Sequence, residues 1–261
     1  MSSSAPLYME ERRRVILEAI KRQGRVSVKQ LSERFNVSAV TIRQDLSALE
    51  DQGLVARTHG GAVAPGLAAE QPELSFNVRS TKQRAEKDAL GKAAAALVQN
   101  GFGIALDAST TVINLIPYLT HLDSLTIVTN NLLVPEMLLA YPKIKVLLPG
   151  GRFRRDGNSI VGRPDTLPDV NLNIGFLSAW GVTPEAGLTE VSADEMAMKQ
   201  ALIAHCMRTV VLIDSSKWGQ IAPYTYAYAD AVDHILTSAA APAELVGAVR
   251  QAGARVEQIA I

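Results

Sequence analysis

The second half of the chain contains a series of short, continuous apolar runs, and this series constrains the fold more than any other feature. The runs are Gly103–Leu106, Leu125–Val128, Ile144–Leu148, Ile174–Ala179 and Thr209–Ile213. Stretches with helical periodicity separate them, and strands that are apolar on both faces are typical of a parallel sheet covered by helices. The sequence therefore predicts an α/β domain with a mainly parallel sheet. We expect it to begin with a helix at the capping box Ser80–Gln83, and to end with a helix near Pro242–Gln251 and a strand near Val256–Ile261.

Small or polar residues follow each predicted strand. Because ligands bind at the carboxyl ends of the strands in open α/β sheets, these residues are candidates for an effector site. The candidates are Asp107, Ser109, Thr110, Thr111, Asn130, Gly150, Gly151, Asp214 and Lys217. Hydroxyls and backbone N–H groups at a helix start suit an anion, a glycine pair admits close backbone approach, and a lysine supplies a cation. The set predicts a pocket for a small phosphorylated or hydroxylated molecule, although the same residue types also serve as caps and turns.

The N-terminal segment predicts three short helices followed by a hairpin. The first helix runs from about Met9 to Gln23, the second begins at the capping box Ser27–Gln30, and Ser38 caps the third. Their predicted buried residues are Val15, Ile16, Ala19 and Ile20 in the first, Val28, Leu31 and Phe35 in the second, and Ile42, Leu46 and Leu49 in the third. The segment Gly53–Val63 predicts two strands around a Gly-Gly turn.

Two helices joined by a tight turn, the second with a polar outward face, are typical of a helix-turn-helix that places this second helix in the major groove of DNA. The predicted DNA-binding residues are Ser38, Thr41, Arg43, Gln44, Ser47, Arg57 and His59. Arg43 suits guanine or a phosphate, Gln44 suits adenine, and the hydroxyls suit phosphates. Arg57 and His59 fall in the hairpin, the expected wing of a winged helix.

Residues 1–60 carry ten basic and seven acidic residues, a mild excess of positive charge that fits a polyanionic partner. The alternative is a three-helix domain that never contacts DNA.

Composition excludes several other classes. Hydrophobic residues make up 48% of the chain, enough for a packed core, and Cys206 is its single cysteine, which rules out a disulfide framework. The four histidines do not cluster, so neither a metal site nor a catalytic triad is predicted, and no cofactor is expected. We expect no membrane span and no secretory signal, and hence a cytoplasmic protein. The predicted domains are residues 8–63 for DNA binding, a linker at 64–80 that is rich in Ala, Pro and Gly, and residues 81–261 for the α/β domain.

The N-terminal motif resembles the DeoR family of bacterial sugar-responsive transcription regulators. The matching segments are Val37–Leu46 (VSAVTIRQDL), Leu49-Glu50 and Arg57–Ala62 (RTHGGA). Gln44 stands where the family usually has a second arginine, which removes a cation from the reading helix and bears on operator preference.

The resemblance continues through the rest of the chain, to about residue 260. The matching segments are Asp107–Thr111 (DASTT), Thr129-Asn130, Gly150-Gly151 and Asp214–Trp218 (DSSKW). Ser109 replaces the usual glycine and Trp218 the usual phenylalanine. Lys199, on a helix opened by the capping box Ser192–Glu195, matches a family lysine and is added to the effector-binding candidates.

What the resemblance implies is a sequence-specific DNA-binding regulator whose sensor domain is similar in fold to sugar-phosphate isomerases. The expected activity is repression of a sugar-metabolism operon, relieved by a phosphorylated sugar. The expected partners are double-stranded operator DNA and a second or further copy of the chain, as a dimer or tetramer. The rival interpretation is a sugar-phosphate isomerase with an appended DNA-binding domain, for which Asp107, Glu190, Asp194 and Asp214 are the candidate bases. A plain interaction module would leave the helix-turn-helix and the linker unexplained.

Overall fold

The computed structural model describes residues 9–23, 25–51, 54–58, 61–63, 76–155 and 157–261. The chain divides into two compact units, Met1–Pro72 and Glu73–Ile261. The first unit contains helices α1 (Met9–Gln23), α2 (Val28–Phe35) and α3 (Ala39–Asp51), and strands β1 (Arg25–Ser27), β2 (Ala56–Thr58) and β3 (Gly61–Val63). The three predicted helices and the two predicted hairpin strands are confirmed, whereas β1 was not predicted.

The three helices enclose a small core of their own. Most of the predicted apolar positions are buried in it, while Val15 and Phe35 are only half-buried. The strands form an antiparallel sheet in the order β1-β3-β2. A β-carbon on Gly61 would lie 1.8 Å from the Val26 carbonyl oxygen, so only glycine allows β3 to pack against β1 at this point. Gly61 was predicted to be the second glycine of the turn, but it is the first residue of β3, and the sheet depends on it.

Of the two helix caps predicted for this unit, one is formed in the structure. The hydroxyl of Ser38 accepts a hydrogen bond from the Thr41 backbone N–H at 3.1 Å, as predicted for the start of α3. Ser27 precedes α2 with extended backbone, but its side chain makes no capping hydrogen bond. The predicted capping box at Ser27–Gln30 is therefore wrong in its hydrogen bonding, although the helix begins where it was expected.

The second unit is built on a seven-stranded sheet. Its strands lie in the order β15-β14-β12-β9-β4-β5-β6, and every neighbouring pair is parallel. These strands are β4 (Gly103–Leu106), β5 (Leu125–Thr129), β6 (Ile144–Leu147), β9 (Ile174–Leu177), β12 (Thr209–Ile213), β14 (His234–Ser238) and β15 (Val256–Ile259). Smaller antiparallel elements are the pair β7 (Arg152–Arg154) and β8 (Ser159–Val161), and the three strands β10 (Gly181–Thr183), β11 (Gly187–Glu190) and β13 (Tyr224–Ala227). The predicted α/β class with a mainly parallel sheet is confirmed.

Helices and short 3₁₀ turns cover the sheet and connect its strands. The helices are α4 (Phe76–Thr81), α5 (Arg84–Ala95), α6 (Leu133–Leu138), α7 (Ala193–His205) and α8 (Ala243–Gln251). The 3₁₀ segments are Val112–Tyr118, Pro164–Thr166, Ser215–Lys217 and Ala229–Ala231. Two buried apolar clusters fill the unit, and both contain residues of the parallel sheet, so the sheet is covered on both faces.

The helix predicted to begin at Ser80 begins later. Ser80 and Thr81 lie in the last turn of α4, where their hydroxyls donate to the carbonyls of Asn77 and Val78. Gln83, in the left-handed conformation with φ of 50°, precedes α5. The predicted capping box is therefore wrong, because these hydroxyls close one helix and do not open the next. In the predicted linker 64–80, residues 64–75 lie outside the described residues and the remainder is helical.

Candidate functional site

The outward face of α3 is polar and accessible. Arg43 and Gln44 are exposed, and Thr41 and Ser47 are half-buried. The Ser38 and Thr41 hydroxyls lie 2.9 Å apart, so the two predicted phosphate-binding groups form one pair at the start of the helix. The opposite face of α3 is buried through Ile42, Leu46 and Leu49, which fixes the rotation of the helix and keeps the polar face outward.

A buried charge cluster joins α3 to α1. The carboxylate of Asp45, 2% exposed, accepts hydrogen bonds from Arg12 and, at 3.2 Å, from Arg13. Sequence reasoning assigned no role to Asp45 or to the two arginines. The only signal available was an aspartate directly beside the buried position Leu46. Part of the basic excess of the N-terminal segment is thus neutralised within the unit itself.

The structure leaves the hairpin candidates largely undescribed. Arg57 lies in β2 and pairs with Ala62 of β3, but its side chain lies outside the described part of the chain. His59 also lies outside the described residues. Their assignment to DNA remains a prediction.

A pocket lies at the carboxyl edge of the parallel sheet in the second unit. Its lining residues are Arg79, Ala108, Ser109, Thr110, Thr111, Arg154, Ser178, Ala179, Trp180, Glu190, Glu195, Lys199 and Lys217. Five of the ten effector-binding candidates line it, namely Ser109, Thr110, Thr111, Lys199 and Lys217. The sequence argument from strand ends thus located a pocket, and the loop after β4 together with the 3₁₀ turn after β12 supplies much of its wall.

Lys199 lies at the centre of a buried ionic network. Its ammonium group, on α7, contacts the Asp107 carboxylate, lies 3.4 Å from Glu190 and donates to the Ser178 carbonyl at 2.7 Å. Burial lowers the pKa of this lysine, but the two carboxylates outweigh burial and raise it. Lys199 is therefore held as a cation by Asp107 and Glu190. Asp107 also accepts from the backbone N–H groups of Ser109 and Ser178, and so ties the pocket loop to the sheet.

The anion-binding features differ from the prediction in one respect. The segment after Ser109–Thr111 is a 3₁₀ helix and not an α-helix, and the Ser109 hydroxyl accepts from the Val112 backbone N–H at 3.1 Å. The Ser109 hydroxyl therefore occupies the Val112 N–H, which is one of the backbone donors that were expected to bind an anion. Thr110 and Lys217 retain the predicted placement. Burial lowers the pKa of Lys217, with Asp214 opposing the shift.

The other five candidates contact the protein and do not line the pocket; Asp107 is one of them, as described above. Asn130 is buried and donates to the Ile160 carbonyl at 3.2 Å, and Asp214 accepts from the backbone and hydroxyl of Ser216. The Gly150 carbonyl accepts from Thr166. A β-carbon on Gly151 would lie 2.5 Å from the Val161 carbonyl oxygen, so this glycine permits the close approach of β8, whereas the sequence suggested the close approach of a ligand.

Sequence reasoning missed several residues that form or support the pocket. Arg79, Arg154 and Glu195 line it, yet each follows no predicted strand. Glu195 accepts from Ser159 at 2.7 Å and from Arg154 at 3.3 Å, and burial raises its pKa against these two interactions. Arg154 comes from the hairpin β7–β8, which the apolar pattern did not reveal. No sequence signal marked these residues as pocket residues, because their partners are distant along the chain; Glu195 was noted only as part of a capping box.

The candidate bases of an isomerase are largely occupied. Asp107 and Glu190 lie against Lys199, and Asp214 accepts hydrogen bonds in its own turn. Asp194 is exposed and pairs with Arg152 at 2.8 Å. Among the described residues, no group of three or more His, Cys, Asp or Glu is arranged to hold a metal ion. In the same described segments, no helix combines the length and the apolar character needed to cross a membrane.

These observations define a class of protein: a helix-turn-helix unit with an accessible polar reading face, joined in one chain to an α/β unit with a charged pocket. Comparison with known families agrees. The DeoR-like helix-turn-helix domain matches residues 12–66 and the DeoR C terminal sensor domain matches residues 82–239. The chain belongs to the DeoR family of transcriptional regulators, as its motifs indicated.

Individual relatives cover nearly the whole chain. An uncharacterised HTH-type transcriptional regulator of Escherichia coli, YgbI, is 36% identical over 89% of this chain and 91% of its own length. The glycerol-3-phosphate regulon repressor of the same species is 32% identical over 90% and 93%. The transcriptional repressor GlcR of Bacillus subtilis is 30% identical over 88% and 89%. Among solved structures, ribose 5-phosphate isomerase A of Methanocaldococcus jannaschii matches with a TM-score of 0.40 and 18% identity, over 52% of this chain and 55% of that one.

Proposed function

We propose that this protein is a sequence-specific repressor of a sugar-metabolism operon, and that a phosphorylated sugar releases it from its operator. The observation that carries the proposal is the charged pocket at the sheet edge of a chain whose other unit is a helix-turn-helix. The relatives named as repressors, one of them of a glycerol-3-phosphate regulon, support the same assignment. Such a protein acts in the cytoplasm.

In this proposal α3 enters the major groove. Arg43 and Gln44 are exposed at its centre and suit guanine and adenine edges, while the Ser38–Thr41 hydroxyl pair suits a phosphate at its start. The antiparallel strands β2 and β3 form the wing, and Arg57 and His59 reach the DNA backbone or minor groove from it. A homo-oligomer, dimer or tetramer, places two or more such helices on repeated half-sites.

The pocket suits a molecule with an anionic end and a hydroxylated end. Thr110, Thr111 and Lys217 supply hydroxyls and a cation for a phosphate. Glu190 and Glu195 line the same pocket and can accept hydrogen bonds from sugar hydroxyls. An uncharged sugar would not use the positive charge of Lys217, and inorganic phosphate would not offer sugar hydroxyls to the two carboxylates.

We propose binding without catalysis at this pocket. An isomerase needs a carboxylate base that is free to remove a proton from the substrate carbon. Of the pocket carboxylates, Glu190 is held by Lys199, and Glu195 accepts from Ser159 and Arg154. Incubation of the purified protein with phosphorylated sugars should give no isomerised product by NMR. Turnover would instead favour the appended-domain enzyme.

The DNA-binding half of the proposal is tested with promoter fragments from the protein's own locus. Fluorescence anisotropy should show binding by the full chain, and Arg43→Ala should weaken it by roughly 1–3 kcal/mol, the usual value of one good base contact. Lys145→Ala removes an exposed cation from β6 of the other unit and is the matched control. Equal affinity of wild type and Arg43→Ala at matched salt would contradict the reading role of α3.

The effector half is tested by thermal shift against phosphorylated sugars, with glycerol 3-phosphate included. A ligand that binds only the native protein raises its melting temperature, because it stabilises the native state. This stabilisation is about 2.7 kcal/mol when the ligand is in hundredfold excess over Kd. Lys217→Met should abolish the shift, because it removes a pocket cation, and should leave DNA affinity unchanged. A shift that is as large in Lys217→Met as in wild type would place the effector elsewhere.

A further inference from the structure

Lys87 is a buried lysine that supports the pocket without lining it. It lies in the first turn of α5 and is 3% exposed. Its ammonium group donates to the Thr110 hydroxyl at 3.2 Å and to the Arg79 carbonyl at 2.6 Å. Thr110 and Arg79 both line the pocket, and they come from segments on either side of α5 in the sequence. One cation thus joins two walls of the pocket.

The direction of these hydrogen bonds has a chemical consequence. An ammonium group has three donor hydrogens and no acceptor, so the Thr110 oxygen must accept from Lys87. The hydrogen of the Thr110 hydroxyl is then left to donate elsewhere. The Arg79 carbonyl belongs to the last turn of α4 and also accepts from the Lys82 backbone N–H at 3.3 Å. The bond from Lys87 is a second one, and it joins the end of α4 to α5.

We propose that Lys87 is a positioning residue of the effector pocket, which fixes the Thr110 hydroxyl as a donor towards a bound anion and holds Arg79 and its helix at the pocket. The proposal rests on the effector pocket proposed above and adds to it the residue that sets its hydrogen-bond polarity. Lys87 itself does not touch the effector.

This arrangement makes anion binding sensitive to pH. Burial lowers the pKa of Lys87 to about 8; Asp214 and Glu86 oppose the shift, and Lys217 and Arg79 favour it. Below that pH the ammonium donates to Thr110 as described. Above it the neutral amine can accept the Thr110 hydrogen, which withdraws a donor from the anion and removes a nearby positive charge. Anion affinity should therefore fall as the pH rises through about 8.

Sulfate is the probe for this effect, because it remains a dianion throughout this range. Its affinity can be followed by the fluorescence of Trp180, which lines the pocket. At neutral pH we expect Lys87→Met to bind sulfate about tenfold more weakly than wild type, the equivalent of one charge-assisted hydrogen bond. Wild-type affinity should fall as the pH is raised through about 8, whereas that of Lys87→Met should stay level. Lys92→Met, an exposed lysine on the same helix, is the matched control and should behave as wild type.

A double-mutant cycle separates positioning from a general loss of packing. Thr110→Val should weaken sulfate binding and reduce the fall in affinity near pH 8 to the part that comes from the lost charge of Lys87, while Thr110→Ser should restore both to the wild-type values. The combined Lys87→Met and Thr110→Val variant should bind no more weakly than the weaker single variant, because both changes remove one interaction. This comparison also covers the case in which Lys87→Met folds poorly, since Thr110→Val leaves the lysine in place.

Four results would overturn the proposal. Additive losses in the cycle would mean that Lys87 acts independently of Thr110. A fall in affinity near pH 8 that persists in Lys87→Met would assign the titration to another group, such as Lys217. Unchanged sulfate affinity in Lys87→Met would remove the role of Lys87 while leaving the effector pocket intact, whereas failure of the wild type to bind sulfate or any phosphorylated sugar would overturn both.

Discussion

At the residue scale, the groups that shape both candidate sites are buried charges with distant partners. Asp45 meets Arg12 across 33 positions of sequence, and Lys87 meets Thr110 across 23. Local periodicity predicts which face of a helix is buried, but it does not say which charged residue from another element will share that face. For this reason the exposure of Arg43 could be predicted from the sequence, whereas the ion pairs that hold its helix could not.

The Asp45 cluster makes a residue-scale prediction about stability. Replacing one partner of a buried ion pair leaves the other charge buried and uncompensated, a loss of about 3–5 kcal/mol. We expect Asp45→Asn to destabilise the helix-turn-helix unit by an amount approaching this range, because both arginines lose their carboxylate. Urea unfolding monitored by helical circular dichroism would measure it.

The control for this measurement is Glu33→Gln, an exposed carboxylate on α2 of the same unit. It should change the free energy of unfolding by less than about 0.5 kcal/mol. Equal small effects of the two substitutions would mean that the Arg12–Asp45 pair contributes little to the unit.

At the element scale, the strands of the parallel sheet could be predicted when they were apolar throughout. Of the five predicted apolar runs, β4 and β12 have the predicted bounds and the other three differ only at their carboxyl ends. β14 was missed because it buries His234, Thr237 and Ser238 beside only two apolar residues, so it does not form a continuous apolar run. Its buried hydroxyls bond to the neighbouring strand and to α5, which no local pattern reveals.

The position of α5 depends on Glu86, and this gives an element-scale prediction with a defined pH dependence. Glu86 accepts from the backbone and hydroxyl of Ser215 and from the Ser238 hydroxyl, each at 2.6–2.7 Å. Burial raises the pKa of Glu86, but these hydrogen bonds outweigh burial and lower it. A carboxylate with a lowered pKa stabilises the fold above its unfolded-state pKa of about 4.3, and this contribution is lost as the pH falls through the folded-state value.

We therefore expect Glu86→Gln to destabilise the α/β unit at neutral pH by about 1–3 kcal/mol, the value of hydrogen bonds to a charged group. The difference from wild type should shrink as the pH falls through the lowered pKa of folded Glu86, because the wild-type carboxyl is then protonated too. Urea unfolding at neutral pH and at acid pH measures this difference. Glu136→Gln, at an exposed carboxylate of α6, is the control. A difference that stays constant with pH would mean that the charge of Glu86 does not contribute.

At the scale of the whole molecule, the chain contains a DNA-binding domain and a sensor domain of one family, and regulation requires a coupling free energy between their sites. A ligand that binds both states of the protein equally shifts nothing, however tightly it binds. The sequence identified the two activities because each has a local motif. The coupling has none, since it is a property of two states of the complete protein, so it has to be measured.

The proposed repressor predicts that this coupling is reciprocal. If a phosphorylated sugar weakens operator binding by a factor of about 5–150, a typical range for coupling between sites, then saturating operator DNA must weaken sugar binding by the same factor. Both factors can be measured on the full chain, the first by anisotropy of labelled operator and the second by calorimetric titration of the sugar. Lys217→Met, which should lose the sugar response, serves as the control for sugar acting outside the pocket. A sugar that binds the pocket but leaves operator affinity unchanged would show that the pocket does not regulate DNA binding, because a coupling absent in one direction must be absent in the other.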